Sequence, residues 1–293
     1  MFVVTLITNP AIHLEPELVA SLRNALGGGD AVWLNPNTAA EFTIAQAPNN
    51  FEDIWGSLQA EGVDMVLQPQ EGRRKKMLLA DMDSTMIRQE CIDELAAEAG
   101  VGPRVAQITA RAMNGELDFE GALRERVSLL KGLDVAVINH VLEKRIHLMP
   151  GSPVLLATMK ANGAYAALVS GGFTAFTAAI ADKLGFNEHR ANTLCAAGGQ
   201  LTGKVTDPIL GREAKVEALN DITARLGITP ADVLAVGDGA NDLGMLQLAG
   251  AGVALHAKPT VQAQAKHRIN HGDLTALLYM QGYATTDFIK AQK

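Results

Sequence analysis

Residues 77–85 have the sequence MLLADMDST, in which four apolar residues precede two aspartates. A short uninterrupted apolar run is typical of a strand that is buried on both faces of a sheet. Residues i and i+2 of an extended segment face the same side. Asp81 and Asp83 are therefore expected to leave the end of this strand together.

Two later apolar runs also end in polar and glycine residues. Residues 164–169 lead into Ser170-Gly171-Gly172, and residues 233–236 lead into Gly237-Asp238-Gly239-Ala240-Asn241-Asp242. Short apolar runs that alternate with helical periods indicate an α/β fold with a parallel sheet covered on both faces. Ligands of such sheets bind outside the carboxyl ends of the strands. We therefore expect the three segments to meet in one crevice.

Between the first two runs, residues 88–150 have a helical pattern throughout. Glycines at 100, 115 and 132 occupy positions typical of helix C-termini, and aspartates at 118 and 134 occupy positions typical of N-caps. The pattern predicts about four helices, inserted where the chain leaves and rejoins the sheet near the crevice. We expect them to form a helical cap.

The composition of the 293 residues, 48% hydrophobic and 19% charged, is typical of globular proteins. The two cysteines, Cys91 and Cys195, fit neither a zinc spacing nor a disulfide framework, which favours a reducing, cytoplasmic compartment. The first residues, MFVVTLITNP, predict a strand and not a signal peptide. Residues 161–181 are uncharged but interrupted by Ser170-Gly171-Gly172, so they indicate a strand and a helix and no membrane span.

The acidic charge of the chain is concentrated at its N-terminus. Residues 1–70 hold one of the 25 basic residues and eight of the 32 acidic ones, a net charge of −7, whereas the other 223 residues balance to zero. We therefore expect a small α+β domain at 1–70 and a larger domain at 71–293. Strands are predicted at 2–8, 31–34 and 63–67 and helices at 15–26 and 51–60, with an uncertain Ala/Thr segment between. The basic residues 73–76 are interpreted as a solvated linker and not as a nucleic-acid site.

The carboxylates at the predicted crevice need a positive partner. Asp81, Asp83, Asp238 and Asp242 would repel one another there, and all-oxygen ligands suit Mg²⁺. Ser170 and the glycines after it could face an anion at a helix N-terminus. Lys215 could supply charge beside a phosphate. Taken singly, each feature has a plainer interpretation: a helix cap, a strand-to-helix turn, or a solvated lysine.

The four segments together resemble the haloacid dehalogenase superfamily of phosphotransferases. The resemblance covers residues 77–270 and rests, in order, on Asp81-Met82-Asp83-Ser84-Thr85, Ser170-Gly171-Gly172, Lys215 and the segment 237–242. Further stretches resemble the branch that hydrolyses phosphoserine: RQECIDELA with Glu90, AMNGELDF with Met113, and LRERVSLLKG with Arg126. The first 70 residues resemble an ACT-like extension, although no specific motif supports this.

The resemblance implies a Rossmann-like core and a Mg²⁺-dependent phosphatase that acts through an aspartyl phosphate. It makes Asp81 the nucleophile and Asp83 the acid and then the base. It places Mg²⁺ on Asp81, the backbone carbonyl of Asp83, and Asp238, with Asp242 acting through water or behind the metal ligands. It also implies contacts with phosphate for Ser170, Gly171 and Lys215, an ordering role for Asn241, and a substrate cavity lined by Met113 and Phe119.

One cap residue is singled out by its position as well. Arg126 falls on the apolar stripe of the helix after Asp118, formed by residues 119, 122, 123, 127 and 130, whereas Arg124 does not. A charge there needs a carboxylate, either within the protein or on the substrate. The resemblance favours the α-carboxylate of phosphoserine, and it pairs Glu90 with the α-ammonium.

Several alternatives stay open at this stage. A related phosphomonoesterase or phosphotransferase would act on another small metabolite. A phospho-accepting signalling protein is disfavoured, because a long-lived acyl phosphate needs neither Asp83 nor a cap. An amino-acid sensor would depend on the N-terminal domain. A homodimer is possible. The pair His267 and His271 belongs to a strand and turn, so it is not expected to bind metal.

Overall fold

The computed structural model describes residues 1–113 and 116–290, and of Met113 only the backbone. Residues 1–69 form a four-stranded antiparallel sheet with the order β2-β3-β1-β4. Its elements are β1 (Phe2–Thr8), α1 (Pro16–Ala25), β2 (Val32–Asn35), β3 (Ala39–Ile44), α2 (Phe51–Ala60) and β4 (Val63–Pro69). The predicted strands and helices are present, and the uncertain Ala/Thr segment forms β3.

The N-terminal sheet is covered on both faces. One face packs on its own helices, with Val19 and Leu58 meeting Phe42 in one apolar cluster. The other face contributes Ile7 and Val66 to the main core cluster of the chain. The predicted boundary near residue 70 stays a proposal, because this second contact joins the two parts.

The second sheet has six parallel strands in the order β12-β11-β10-β5-β6-β7. With the separate hairpin β8–β9, the strands are β5 (Met77–Ala80), β6 (Tyr165–Phe173), β7 (Glu188–Asn192), β8 (Leu194–Ala197), β9 (Gln200–Val205), β10 (Val233–Gly237), β11 (Ala251–Leu255) and β12 (His267–Ile269). The three apolar runs of the sequence are the adjacent strands β10, β5 and β6. The α/β fold with a parallel sheet is confirmed.

Helices cover both faces of this sheet, and four of them form the cap. The helices of the second part are α3 (Cys91–Glu98), α4 (Gly102–Met113), α5 (Phe119–Ser128), α6 (Ala136–Lys144), α7 (Ser152–Ala161), α8 (Thr174–Leu184), α9 (Arg212–Leu226), α10 (Leu243–Leu248), α11 (Pro259–Gln262) and α12 (Ala276–Met280). Alternate residues of β5 face opposite layers: Leu79 packs with α9, and Leu78 belongs to the cluster that includes α7 and the cap.

The cap consists of α3–α6, as the sequence predicts. An antiparallel bridge between Ile87 and Leu148 closes its base. Gly100 and Gly132 have φ values of +69° and +85°, which suits their place after a helix end. Asp118 caps α5 by accepting the N–H of Gly121 at 2.6 Å. Gly115 lies outside the described residues.

None of the helices described is both long and apolar enough to cross a membrane. The uncharged stretch 161–181 instead contributes to β6 and α8.

Candidate active site

The site begins where neighbouring strands end. Ala80 is in register with Val236 on one side and Leu168 on the other. The residue after β5, Asp81, donates its backbone N–H to Val236 O at 3.0 Å. Strand order reverses between β5 and β10, which is the point at which open α/β sheets bind ligands.

Lys215 is the cation at the centre of the site. It lies in the first turn of α9 and is 1% exposed, and its Nζ lies 2.7 Å from Asp81 Oδ1 and 2.5 Å from Asp242 Oδ1. Burial alone would lower the pKa of Lys215, but the charges of Asp242 and Asp81 outweigh it and raise that pKa. The side chain is therefore a fixed positive charge between two carboxylates.

Asp81, Asp238 and Asp242 form a cluster in which single carboxylate oxygens lie within 4.8 Å of one another. Burial raises the pKa of Asp81 well above its usual range, and Asp242 raises it further. Burial and Asp242 raise the pKa of Asp238 to about 7. One lysine does not neutralise three carboxylates, and an all-oxygen donor set fits a hard divalent cation.

The carboxylate of Asp242 is already engaged on both oxygens. Oδ1 contacts Lys215, and Oδ2 accepts the N–H of Gly239 at 2.9 Å. This arrangement is compatible with the expectation that Asp242 acts from behind the metal ligands. The Asp83 side chain is not part of the cluster, as expected if only its backbone carbonyl faces a metal.

Position 237 requires glycine because the Asp242 side chain lies too close for a Cβ, and not because the backbone has a conformation that favours glycine. A Cβ on Gly237 would lie 2.3 Å from Asp242 Cγ, and one on Gly239 would lie 2.3 Å from Asn241 Oδ1. Neither glycine has a positive φ. The loop thus folds directly against the acids that it presents.

Asp83 lies beside the cluster with a different environment. Its Oδ1 accepts the N–H of Cys91 at 3.2 Å, and a Cβ on Gly172 would lie 2.6 Å from its Oδ2. Burial, followed by the charge of Glu90, raises the pKa of Asp83 to about 7. A carboxyl group with this pKa can both give and take a proton near neutral pH.

Ser170, Gly171 and Gly172 form a bulge in β6. Val169 is in register with Arg190 and Phe173 with Asn192, so these three residues lie opposite Ala191 alone. Ser170 is 2% exposed, and its Oγ accepts the N–H of Gly172 at 2.9 Å. The expectation that Ser170 opens a helix is wrong, because the strand continues through the bulge and α8 begins at Thr174.

Arg126 and Glu90 extend from the cap side. Arg126 is half-buried, and it donates to Ala122 O at 3.2 Å and to Thr109 Oγ1 at 3.5 Å. Within residues 1–113 and 116–290 it forms no ion pair. Burial lowers the pKa of Arg126, whereas the charges of Asp93, Glu90 and Asp83 raise it, which places the guanidinium near these acids. Glu90 is exposed and precedes α3, where its Oε1 accepts the Ser84 hydroxyl at 2.6 Å.

The remaining predicted residues fall into three cases. Phe119 lies beside the bulge of residues 170–172, since a Cβ on Gly171 would lie 3.0 Å from its Cζ. The Asn241 side chain is half-buried and forms no hydrogen bond within the described parts of the chain, so its expected ordering role is a proposal only. The Met113 side chain lies outside the described residues.

Two residues near Asp81 had no role in the sequence interpretation. Thr85 is fully buried and donates its hydroxyl to Asp238 Oδ1 at 3.0 Å, which links the segment after β5 to the segment after β10. Ser84 has a φ of +54° and orients Glu90. The signal that the sequence offered for these two residues was their position directly after Asp83 in the motif of residues 81–85.

The chain is similar to known proteins in both sequence and fold. The haloacid dehalogenase-like hydrolase family matches residues 78–247. A phosphoserine phosphatase of Streptomyces coelicolor is 41% identical over 253 residues, which cover 84% of this chain and 61% of that protein. A haloacid dehalogenase family hydrolase of Salmonella enterica serovar Typhi superposes with a TM-score of 0.87 at 32% identity, over 96% of this chain and 98% of that one. A substrate-bound phosphoserine phosphatase superposes with a TM-score of 0.66 at 41% identity, over 70% and 98%.

Proposed function

The chain belongs to the haloacid dehalogenase-like hydrolase family, and on that premise we propose that it hydrolyses O-phospho-L-serine to L-serine and inorganic phosphate. The observation that carries the proposal is the buried Lys215, held between Asp81 and Asp242 at the strand ends. The similarity to phosphoserine phosphatases supplies the substrate.

Asp81 is the nucleophile. Its carboxylate attacks phosphorus in line, the bond to the seryl oxygen breaks, and an aspartyl phosphate forms. Lys215 contacts Asp81 Oδ1, so it favours the ionised nucleophile and offsets its repulsion from a dianionic phosphate. The Ser170 hydroxyl and the Gly171 N–H bind phosphate oxygens at the bulge.

Asp83 moves the protons. It protonates the departing seryl oxygen in the first step and then takes a proton from the water that cleaves the aspartyl phosphate. The pKa of about 7 suits both tasks, because the group is easily protonated and deprotonated near neutral pH. The two steps therefore share one carboxyl group.

The donor set fits Mg²⁺, with Asp81, Asp238 and the backbone carbonyl of Asp83 as ligands and Asp242 behind them. When bound, Mg²⁺ would supply positive charge against the phosphate and the nucleophile. Thr85 holds one of these carboxylates, Asp238, in place through its hydroxyl.

The seryl part of the substrate is bound by the cap. Within the described residues Arg126 donates to two neutral acceptors, which leaves N–H groups for the α-carboxylate, and Glu90 binds the α-ammonium. Phe119, with Met113, lines the cavity. Recognition of the amino acid thus depends on α5 and on the start of α3, whereas the chemistry depends on the sheet.

The wider setting is also proposed here. The enzyme completes serine biosynthesis in the cytoplasm, in keeping with the two free cysteines. Residues 1–70 form an ACT-like domain and residues 71–293 the phosphatase domain. A homodimer and the absence of nucleic-acid partners stay predictions.

The test is phosphate release from phosphoserine, phosphothreonine and a simple sugar phosphate, with and without Mg²⁺. We expect release that is fastest from phosphoserine and dependent on Mg²⁺. Asp81→Asn should abolish turnover in a folded protein, while Asp182→Asn, at an exposed position of α8, should leave it unchanged. Equal rates for all three esters would instead support a broader phosphatase, and activity of Asp81→Asn above a small percentage would refute the nucleophile.

A further inference from the structure

We propose that Asn192 is a positioning residue that holds the phosphate-binding bulge and the approach to Lys215 in their active geometry. This inference rests on the proposed phosphatase function. Asn192 is the last residue of β7 and is 2% exposed. It is not expected to touch the substrate, since its amide is occupied by backbone groups.

The amide of Asn192 joins two separate segments. Its Nδ2 donates to Gly171 O at 2.9 Å and to Leu210 O at 3.2 Å, and its Oδ1 accepts the N–H of Leu210 at 2.7 Å. Leu210 lies two residues before α9, the helix that carries Lys215 in its first turn. One side chain therefore ties the phosphate bulge to the start of the lysine helix.

The bond to Gly171 sets the orientation of one peptide group. In a trans peptide the C=O and the following N–H point in opposite directions. When Asn192 holds the Gly171 carbonyl on one side, the Gly172 N–H must point to the other, where it donates to Ser170 Oγ at 2.9 Å. Since that bond occupies a lone pair of the hydroxyl, the Ser170 O–H proton stays available for a phosphate oxygen.

The bulge needs such an anchor because regular strand pairing is interrupted there. Three residues, Ser170 to Gly172, lie opposite one residue of β7, and two of the three are glycines. Glycine backbone has many accessible conformations, so an unanchored Gly171-Gly172 peptide could rotate. A fixed peptide keeps the phosphate contacts in place before substrate arrives, which is what electrostatic stabilisation requires.

The experiment compares Asn192→Ala with Asn187→Ala. Asn187 also links β6 and β7, by accepting the Ala166 N–H at 2.9 Å, but it does so at the end of the strands remote from the site. We expect Asn192→Ala to lower kcat/KM about 10- to 100-fold and to weaken inhibition by inorganic phosphate at least as strongly as it weakens binding of phosphoserine. Asn187→Ala should change neither by more than about twofold.

A role in holding phosphate also predicts which substrates are affected. Phosphoserine and phosphoethanolamine share the phosphate and differ in the carboxylate, so Asn192→Ala should slow both by the same factor. Unchanged kcat/KM and phosphate inhibition in folded Asn192→Ala, or a loss confined to phosphoserine, would overturn the inference. Failure of the wild type to release phosphate from phosphoserine would instead overturn the proposed function.

A double-mutant cycle with Ser170→Ala tests the pathway through Ser170. If Asn192 acts through the Gly172 N–H and the serine hydroxyl, Asn192→Ala should cost clearly less in the Ser170→Ala background than in the wild type. A full second loss would overturn this part. If Asn192→Ala does not fold, Asn192→Asp replaces it, since it keeps the acceptor for Leu210 N–H and lacks the donor to Gly171; full activity of Asn192→Asp would overturn the proposal.

Discussion

Arg126 offers the sharpest test of substrate choice, through the variant Arg126→Ala. The guanidinium has five N–H donors, and within the described residues Arg126 forms hydrogen bonds to two neutral acceptors, Ala122 O and Thr109 Oγ1. The free donors can therefore form a bidentate pair with the α-carboxylate. Two charge-assisted hydrogen bonds at about 1.5 kcal/mol each give about 3 kcal/mol, or roughly 150-fold in kcat/KM.

The assay measures kcat/KM for phosphoserine and for phosphoethanolamine, which lacks only the carboxylate. Arg126→Ala should lower the phosphoserine value by about two orders of magnitude and leave phosphoethanolamine within about threefold. Arg124→Ala is the matched control, because Arg124 lies on the same helix but pairs with Asp207 at the surface. An equal loss for both esters would refute the reasoning and make Arg126 a structural residue.

Four further predictions concern charge. Glu90→Gln should slow phosphoserine hydrolysis more than it slows any residual hydrolysis of 3-phosphoglycerate, which has a hydroxyl in place of the ammonium; equal slowing would contradict ammonium binding. Burial and Asp242 raise the pKa of Asp238 to about 7, so this carboxyl group keeps its proton in the folded protein at pH values where it has lost it in the unfolded chain. The free energy of unfolding should therefore fall as the pH rises from about 4 to about 7. Asp238→Asn should therefore raise Tm at pH 8 without divalent cation, and Mg²⁺ should raise Tm of the wild type more than that of the variant; equal Mg²⁺ shifts would count against Asp238 as a ligand. Asp64 is fully buried and accepts hydrogen bonds from the N–H groups of Asn270, His271 and Gly272 at 2.8–2.9 Å. Asp64→Ala should therefore lower the free energy of unfolding in urea by about 3 kcal/mol. A decrease of less than about 1 kcal/mol would contradict this account. Burial, with the charges of Lys266 and Lys75, lowers the pKa of His267 to about 4, so the unfolded chain binds a proton at higher pH than the folded protein does. The free energy of unfolding should therefore fall by up to about 3 kcal/mol as the pH drops from 6.5 to 4. His267→Gln should flatten this pH dependence, and an unchanged pH profile would show that another group is responsible.

The strands of the large sheet and the carboxylates at their ends could be predicted because each is encoded locally. An apolar run of four residues before Asp81 indicates a buried strand without knowledge of its neighbours, and parallel strands must present their carboxyl ends at one edge. Local sequence patterns also predicted the position of Asp238 after an apolar run and the four cap helices from their helical spacing and capping residues.

The bulge at Ser170 could not be predicted from the same information. A strand followed by Ser-Gly-Gly fits a helix start as well as a bulge, and the difference depends on pairing with β7, which lies about twenty residues later. Asn192 had no signal either, since a polar residue at the end of a short strand has many uses. The segment that forms β3 stayed uncertain because it begins with Ala39, Ala40 and Glu41, which have weak β-propensity, and burial between β1 and β2 decides its conformation.

The proposed catalytic residues lie at the strand ends of the sheet and the proposed substrate-recognition residues on the cap. This division explains why the sequence identifies the catalytic residues more readily. The proposed roles of Asp81, Asp83 and Asp238 depend on strand ends whose geometry is imposed by the sheet, so their spacing in short motifs is constrained. In the same proposal Arg126 acts from one face of a cap helix, and the sheet does not constrain its distance along the chain from the strand-end motifs. The proposal for Arg126 also needs its burial and the absence of an internal ion pair among the described residues, which the sequence does not show. In this proposal the reaction is encoded by local spacing, and the choice of phosphoserine by the packing of the cap on the sheet.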